Sequence, residues 1–359
     1  MADPINAEKI ARMRGGLLAW YDRARRDLPW RRTQDPYAIW VSEIMLQQTR
    51  VAAVVAKYKV FLERFPTVKD LAQADEQDVL ALWSGLGYYR RARMLHKAAK
   101  QVVAELGAMP STAKELRKLA GIGSYTAAAI ASIAFSEPVA AVDGNVERVL
   151  SRVRGWESHD SVREAAVRRK VDAFASDLVD PRRPGDFNQA LMELGATVCA
   201  PRSPQCLVCP WAAECRTLGE HRTPKRAPMT SREVGCMLVV RECSEGDEVL
   251  LEQRATTNTV MPGMWELPAL ADVRSNQHKP IMIVRHAIMQ VNYTVRVWSV
   301  APEEIAVSDA VRRWVPLREA AAMALTGLAR KVLARAGMLD VSVRKNTPGF
   351  AAPETAGLV

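Results

Sequence analysis

No segment of this 359-residue chain holds the roughly 18 uncharged apolar residues that a helical membrane span needs, so a transmembrane protein is not expected. The opening residues, MADPINAEKI, lack the basic stretch followed by an apolar one that marks a secretory leader. A cytoplasmic protein is the expectation. Cysteine is scarce: six residues are too few for a disulfide scaffold in a chain this long, and a reducing cytosol would not keep bridges closed. No stretch repeats at a fixed period, so an array of stacked repeats is not expected either.

Apolar residues and positive charge are plentiful. Hydrophobic residues make up 48% of the chain, enough for a sizeable core, and the length argues for two or three domains rather than one. The net charge of +10 is unevenly spread: residues 1–225 hold 34 Lys and Arg against 26 Asp and Glu, whereas the rest hold 16 against 14. The first two-thirds is therefore the expected polyanion-binding part, with a solvated basic surface as the alternative.

Up to about residue 198, apolar residues recur at three- and four-residue spacing in EKIARMRGGLLAWYDRA, IWVSEIMLQQTRVAAVVAKYKVFLERF and SVREAAVRRKVDAFASDLV, which predicts an all-helical region. Asp35 ahead of Pro36, and Thr112 with Glu115, supply helix-start signals. GEHRTPKRAP, from Gly219 to Pro228, is polar and punctuated by proline, as a linker is, and places a boundary near residue 225. Beyond it the period changes to two in VGCMLVVRE, EVLLEQR and YTVRVWSV, with one helical stretch, LTGLARKVLARAG, so the second domain is expected to mix α and β. Residues 340–359 have the composition of a disordered tail.

CAPRSPQCLVCPWAAEC concentrates four of the six cysteines: Cys199, six residues, Cys206, two residues, Cys209, five residues, Cys215. Structural zinc usually takes two short Cys-x-x-Cys knuckles, and only the central pair has that spacing. Four unequally spaced thiolates in one compact loop favour a 4Fe-4S cubane over zinc, with buried structural thiols as a third reading. Cys236 and Cys243 are read as packing residues.

LAGIGSYTAAAIASIAF places Gly121 and Gly123 in a short turn ahead of Ser124 and a helix, where bare backbone and free N–H groups can hold a DNA phosphate; a tight helix–helix turn needs the same residues. About twenty residues on, AVDGNVERVLSR presents Asp143 before another helical stretch. Glycine hairpin, VDGNV aspartate and cysteine loop, in that order, resemble the helix-hairpin-helix DNA glycosylases of the endonuclease III superfamily. Within it, LPWR, WVSEIMLQQTRV, WSGLGYYRRARMLHKAA, FNQALMELGATVC and GMWELP are most similar to the MutY-type adenine glycosylases. The resemblance covers about residues 7–337.

It implies a mostly α catalytic region over 1–225, with a six-helix lobe at about 35–142 and a cluster lobe from about 1–34 plus 143–218. A linker at 219–231 and an α+β MutT-like (Nudix-fold) domain at 232–339 follow. The implied activity is removal of adenine mispaired with 8-oxoguanine or guanine in double-stranded DNA by a monomer associated with the nucleoid; repair or clamp partners are not legible. Hydrolysis at a base needs the base flipped into a pocket and two carboxylates, one to protonate the leaving group and one to support charge on the sugar. By resemblance these are Glu43 and Asp143, with Asn145 orienting Asp143. Glu43 lies within the apolar IWVSEIML, although a solvent-facing helix glutamate and a simple N-cap are the plainer readings of Glu43 and Asp143. Bifunctional relatives carry a Schiff-base lysine where this chain has Tyr125, so a monofunctional enzyme that leaves an abasic site is implied.

Leu28, Trp30, Arg31 and Gln189 are implied for the adenine pocket; Gln48, Thr49, Tyr88, Gly121, Gly123 and Ser124 for DNA binding; Cys199, Cys206, Cys209 and Cys215 for one 4Fe-4S cluster. GYYRRAR is read as stacking tyrosines with Arg90, Arg91 and Arg93 on phosphates. The second domain lacks the acidic Nudix motif, so pyrophosphate hydrolysis is not expected. Where relatives carry a Phe-Ser-His lesion-recognition loop, this chain has Ile288, Met289 and Gln290, which implies a lower preference for 8-oxoguanine over guanine. The competing functions are a glycosylase for another base, thymine opposite guanine or an oxidised pyrimidine, and a non-catalytic iron–sulfur DNA-binding sensor.

Overall fold

The computed structural model describes residues 6–157, 161–221, 228–270 and 279–339. The tail expected to be disordered, 340–359, and part of the expected linker, 222–227, lie outside the described residues. The backbone clusters into two compact units, Met1–Ala227 and Pro228–Val359.

The first unit is helical. Helix α1 (Ala7–Ala24) starts where the Asn6 side chain accepts from the Lys9 amide, and it buries Met13, Leu17, Leu18 and Tyr21 along one face. That face packs into a core with Val149, Leu178, Leu194 and Trp211, so the beginning of the chain is covered by residues 128 to 198 positions away. The Trp211 Nε1 donates to the Met13 carbonyl at 2.9 Å, which satisfies the one polar atom of a fully buried indole.

Helix α2 (Pro36–Leu46) is capped by Asp35 with proline at its first position, and every residue from Tyr37 to Met45 is buried. A helix apolar on all sides belongs at the centre of a fold. Around it run α3 (Val51–Arg64), α4 (Val68–Gln73), α5 (Glu76–Trp83), α6 (Arg90–Gln101), α7 (Ala113–Leu116) and α8 (Ser124–Phe135). Thereafter come α9 (Gly144–Arg154), α10 (Ser161–Leu178) and α11 (Pro184–Thr197). The apolar run read as one helical stretch from Ile39 onward is broken between α2 and α3, where Gln48 takes a left-handed φ of 56°. The break is tertiary in origin: Arg91 of α6 donates to the Ile44 and Met45 carbonyls at 2.6 and 3.0 Å, satisfying acceptors that the helix end exposes.

The second unit is α+β. Strand β1 (Thr230–Leu238) lies parallel to β7 (Val291–Ser299) and antiparallel to the short β5 (Ala269–Leu270), while β6 (Met282–Ile288) pairs antiparallel with β7. A second sheet is built on β3 (Glu248–Gln253), antiparallel to β2 (Val240–Arg241), β4 (Trp265–Glu266) and β8 (Arg312–Pro316). Helices α12 (Leu317–Ala320) and α13 (Gly327–Arg335) complete it, and Val249, Leu251, Val295, Val297, Val332 and Leu333 share its core. Cys236 packs in that core as expected, but Cys243 does not: it is exposed, its thiol 3.6 Å from Glu248, because it lies beyond β2 in the turn to β3. Among the described residues no helix is long and apolar enough to cross a membrane.

Gly121 needs its missing side chain twice over: its φ is +75°, and an added Cβ would sit 2.5 Å from the Met94 Cβ of α6. Gly121→Ala is expected to lower stability by about 2 kcal/mol. Gly123→Ala, at φ −85° with nothing within 4 Å, is the control, and urea unfolding of both variants reads the difference.

Candidate active site

Glu43 occupies the buried face of α2, with 6% of its surface exposed. Loss of water around the carboxyl pushes its pKa up from 4.5 to about 7, against the hydrogen bond from Tyr125; nearby Asp143 adds to the rise and Arg31 opposes it. The Tyr125 hydroxyl, from the second residue of α8, donates to Glu43 Oε2 at 2.6 Å and lies 3.0 Å from the Met192 sulfur of α11. Burial and the two neighbouring carboxyls hold the tyrosine pKa far above its ordinary range, so the phenol keeps the proton it donates.

Asp143 is the N-cap of α9, accepting from the Val146 amide at 2.8 Å, and its second oxygen accepts from Asn145 Nδ2 at 2.8 Å. The plain capping role and the placement beside Glu43 coincide in one side chain. Asn145 in turn accepts from Arg148 at 2.8 Å, and Arg148 donates on to the Gly195 and Cys199 carbonyls at 2.8 and 3.0 Å. The loop that delivers Asp143 is pinned by Asn188 of α11, a fully hydrogen-bonded buried amide: it accepts from the Ala141 amide at 3.0 Å and donates to Val139 O and Ser132 Oγ, both at 2.9 Å. Nothing in the local sequence marked Asn188, because its partners are distant in the chain.

Leu28 and Trp30 are buried, with Trp30 edge-on to Tyr58 at 5.5 Å, so part of its ring serves the core. Arg31 follows in the same short turn, its guanidinium bonded to Glu193 at 2.7 Å. Gln189, half-buried, is the residue after Asn188 on α11.

Gln48 and Tyr88 sit exposed at the tips of two loops, and both take left-handed backbone conformations, φ 56° and 47°. Non-glycine residues there are strained, and such strain gathers at functional positions. Arg91, expected on a phosphate, instead points inward and ties both loops together. Besides Ile44 and Met45 it donates to Thr49 Oγ1, Leu86 O and Gly87 O at 3.0, 3.1 and 3.2 Å, and its guanidinium lies over the Trp83 and Tyr88 rings. The Thr49 hydroxyl is thereby engaged within the protein. Tyr89 is buried as well, and Arg93 pairs with Glu76 at 2.8 Å, which leaves Tyr88 as the exposed aromatic of GYYRRAR. Gly121, Gly123 and Ser124 are exposed ahead of α8, beside a groove lined by Lys114, Arg117, Lys118 and Arg168.

Cys199, Cys206, Cys209 and Cys215 line a single pocket together with Val149, Val153, Val198 and Arg152. Four thiols lining one pocket are a donor set of the number and type that a thiolate-held metal group takes. Buried Arg152 donates to the Ala200 and Pro201 carbonyls at 2.7 and 2.8 Å and reaches Cys199 Sγ at 3.4 Å, placing a cation beside the thiol set.

In the second unit, Ile288 ends β6 opposite Val291, and Met289 and Gln290 form the two-residue turn between them. Met289 is 76% exposed at φ 54°, and the Gln290 carbonyl accepts from the Thr230 amide at 3.0 Å.

Residues 41–172 match the HhH-GPD superfamily of base excision DNA repair proteins. The adenine DNA glycosylase of Mus musculus is 35% identical over 90% of this chain and 77% of its own length. The chain belongs to the adenine DNA glycosylase family. The family enzyme of Homo sapiens is 47% identical over 66% of this chain, but the match spans only 44% of the human protein's length. Among solved structures, a thermostable thymine-DNA glycosylase superposes with a TM-score of 0.54 at 30% identity, covering 59% of this chain and 97% of that one. An endonuclease III–DNA complex gives 0.50 at 25% identity, covering 60% and 97%. These likenesses agree with the helix-hairpin-helix fold of α7 and α8.

The folded-state pKa of Glu43 lies above its ordinary 4.5, so its contribution to stability is fully present below that pH and is lost as pH rises through about 7. Glu43→Gln, with no charge to bury, is expected to differ little in stability from the parent at pH 4. It should exceed the parent by about 3 kcal/mol at pH 8, read by urea unfolding.

Proposed function

We propose that the protein is a monofunctional adenine glycosylase that removes adenine paired with 8-oxoguanine or guanine and leaves an abasic site. The observation that carries this reading is the buried Glu43, bonded to Tyr125 at 2.6 Å beside Asp143, with a pKa of about 7. A general acid works best when its pKa lies near the working pH. Glu43 donates its proton to adenine N7, which turns the base into a neutral leaving group as the bond from N9 to the sugar C1′ breaks. Asp143, fixed by Val146 N and Asn145, supports the positive charge that develops on the sugar. Water then adds to C1′ and returns a proton to the Glu43 carboxylate. Tyr125 holds Glu43 and offers no amine to the sugar, so no covalent Schiff base forms and the strand is not cut by the protein.

In this reading Leu28, Trp30, Arg31 and Gln189 receive the flipped base, Gln48 and Tyr88 enter the distorted duplex, and the phosphate backbone lies along Gly121, Gly123 and Ser124. Cys199, Cys206, Cys209 and Cys215 hold a 4Fe-4S cluster, which supports the fold of the region around it. The second unit acts as a MutT-like domain that checks the opposite base through Ile288, Met289 and Gln290, and the enzyme works as a cytoplasmic, nucleoid-associated monomer.

Single-turnover incubation with labelled duplexes tests the reading. Adenine strands opposite 8-oxoguanine should be cut only after alkali, and Glu43→Gln should cut at least a thousandfold more slowly, the scale expected when a general acid is removed. Processing of a thymine strand instead would favour the competing base, and tight binding with no product would favour the sensor. Met289 has no hydroxyl to bond an 8-oxoguanine edge, so Met289→Ser is expected to widen the rate preference for 8-oxoguanine over guanine.

A further inference from the structure

Glu193 of α11 is a carboxylate that the chemistry above does not use, and its side chain is only 1% exposed. Burying a charge is costly unless it is paired and fully hydrogen-bonded. Glu193 meets that condition through two arginines, Arg26 from the loop after α1 and Arg31 from the short turn at Pro29–Arg31. Its Oε1 accepts from the Arg26 amide at 3.1 Å and from Arg26 Nε at 2.7 Å, while Oε2 accepts from Arg26 Nη2 and Arg31 Nη2, both at 2.7 Å. Arg31 Nη1 closes the ring by donating to the Arg26 carbonyl at 2.9 Å, and the Arg31 guanidinium lies 5.4 Å from the Tyr21 ring centre.

The set therefore carries two positive charges and one negative charge. A purely structural clamp would need only Arg26, whose backbone and side chain already bind the carboxylate. The bond to Arg31 engages a residue whose charge reaches Glu43, while Arg26 remains 40% exposed at the side chain. We infer that Glu193 is a positioning residue of the base pocket, fixing the Arg31 guanidinium and offsetting its charge, so that the Arg26–Glu193–Arg31 set limits how far Arg31 favours ionised Glu43.

This rests on the excision reading for its catalytic consequence, but its electrostatic part stands apart from it. The charged and titratable groups facing Glu43 are Tyr125 from α8, Asp143 ahead of α9 and Arg31 from its turn. Arg91 of α6 binds the α2 carbonyls just beyond. Facing Glu193 are Arg26, Arg31 and, from α1, Tyr21. Only the arginine set is altered by the variants below.

The two substitutions have opposite signs. Glu193→Gln leaves both arginine charges uncompensated, which favours ionised Glu43 and moves its titration to lower pH by about one unit. Arg26→Gln removes one positive charge and leaves Glu193 to balance Arg31, so the midpoint moves up. Carbon-13 NMR of labelled glutamate in the free protein follows Glu43, identified by loss of its signal in Glu43→Gln. The alkaline limb of the single-turnover excision profile should move with it, since excision needs the protonated acid. Opposite displacements support the inference. Displacements of the same sign, or none in either variant, would overturn it and leave Glu193 a structural clamp. If the parent protein excises no adenine at any pH, the excision reading fails, while the NMR midpoints still decide the role of Glu193.

Discussion

A carboxyl group taken out of water must either find compensating charge or keep its proton, and Glu43 is placed where both outcomes are within reach. Desolvation on α2 raises its pKa, and the Tyr125 hydrogen bond brings it part of the way back. The placement depends in turn on α2 being buried on every side, which its largely apolar composition makes possible and the Asp35 cap begins.

One helix gathers the remainder. Along α11, Asn188 pins the loop that carries Asp143, Met192 touches the Tyr125 hydroxyl, and Glu193 holds Arg26 and Arg31. Gly195 lets α9 approach so closely that a Cβ there would stand 2.7 Å from the Asn145 Cβ, and its carbonyl accepts from Arg148. Just past the helix end comes Cys199, the first of the four pocket-lining thiols. The turn that carries Arg31, the loop that carries Asp143 and the cysteine pocket thus share one rigid support, and side chains are held more closely by a helix than by a loop. The two exposed loop tips at Gln48 and Tyr88 have a support of their own in the Arg91 guanidinium.

Much of this was legible in the sequence because it is local. Helical periodicity, the Asp35–Pro36 start, the glycine turn before α8 and the spacing of the four cysteines each follow from residues a few positions apart. The change to period two past residue 228 announced the sheets, although the two-residue strands β2, β4 and β5 are too short to carry an alternation. What stayed hidden depends on distant partners. The end of α2 is decided by Arg91, 46 and 47 residues away, and the inward turn of that arginine cannot be read from a basic helix face. Glu193 and Asn188 resemble ordinary helix polars until their partners, up to 167 residues away, fold against them. Cys243 shows the reverse error, since a cysteine near strands reads as packed whichever side of the turn it occupies.

The central claim is that Glu43 transfers its proton to adenine N7. The most direct measurement is single-turnover excision from a duplex with 7-deazaadenine opposite 8-oxoguanine, in which a carbon replaces N7 and removes the proton acceptor, alongside the adenine duplex and a binding assay for both. The account predicts that the two duplexes bind alike and that 7-deazaadenine is not released. Release at a rate near that of adenine would contradict it.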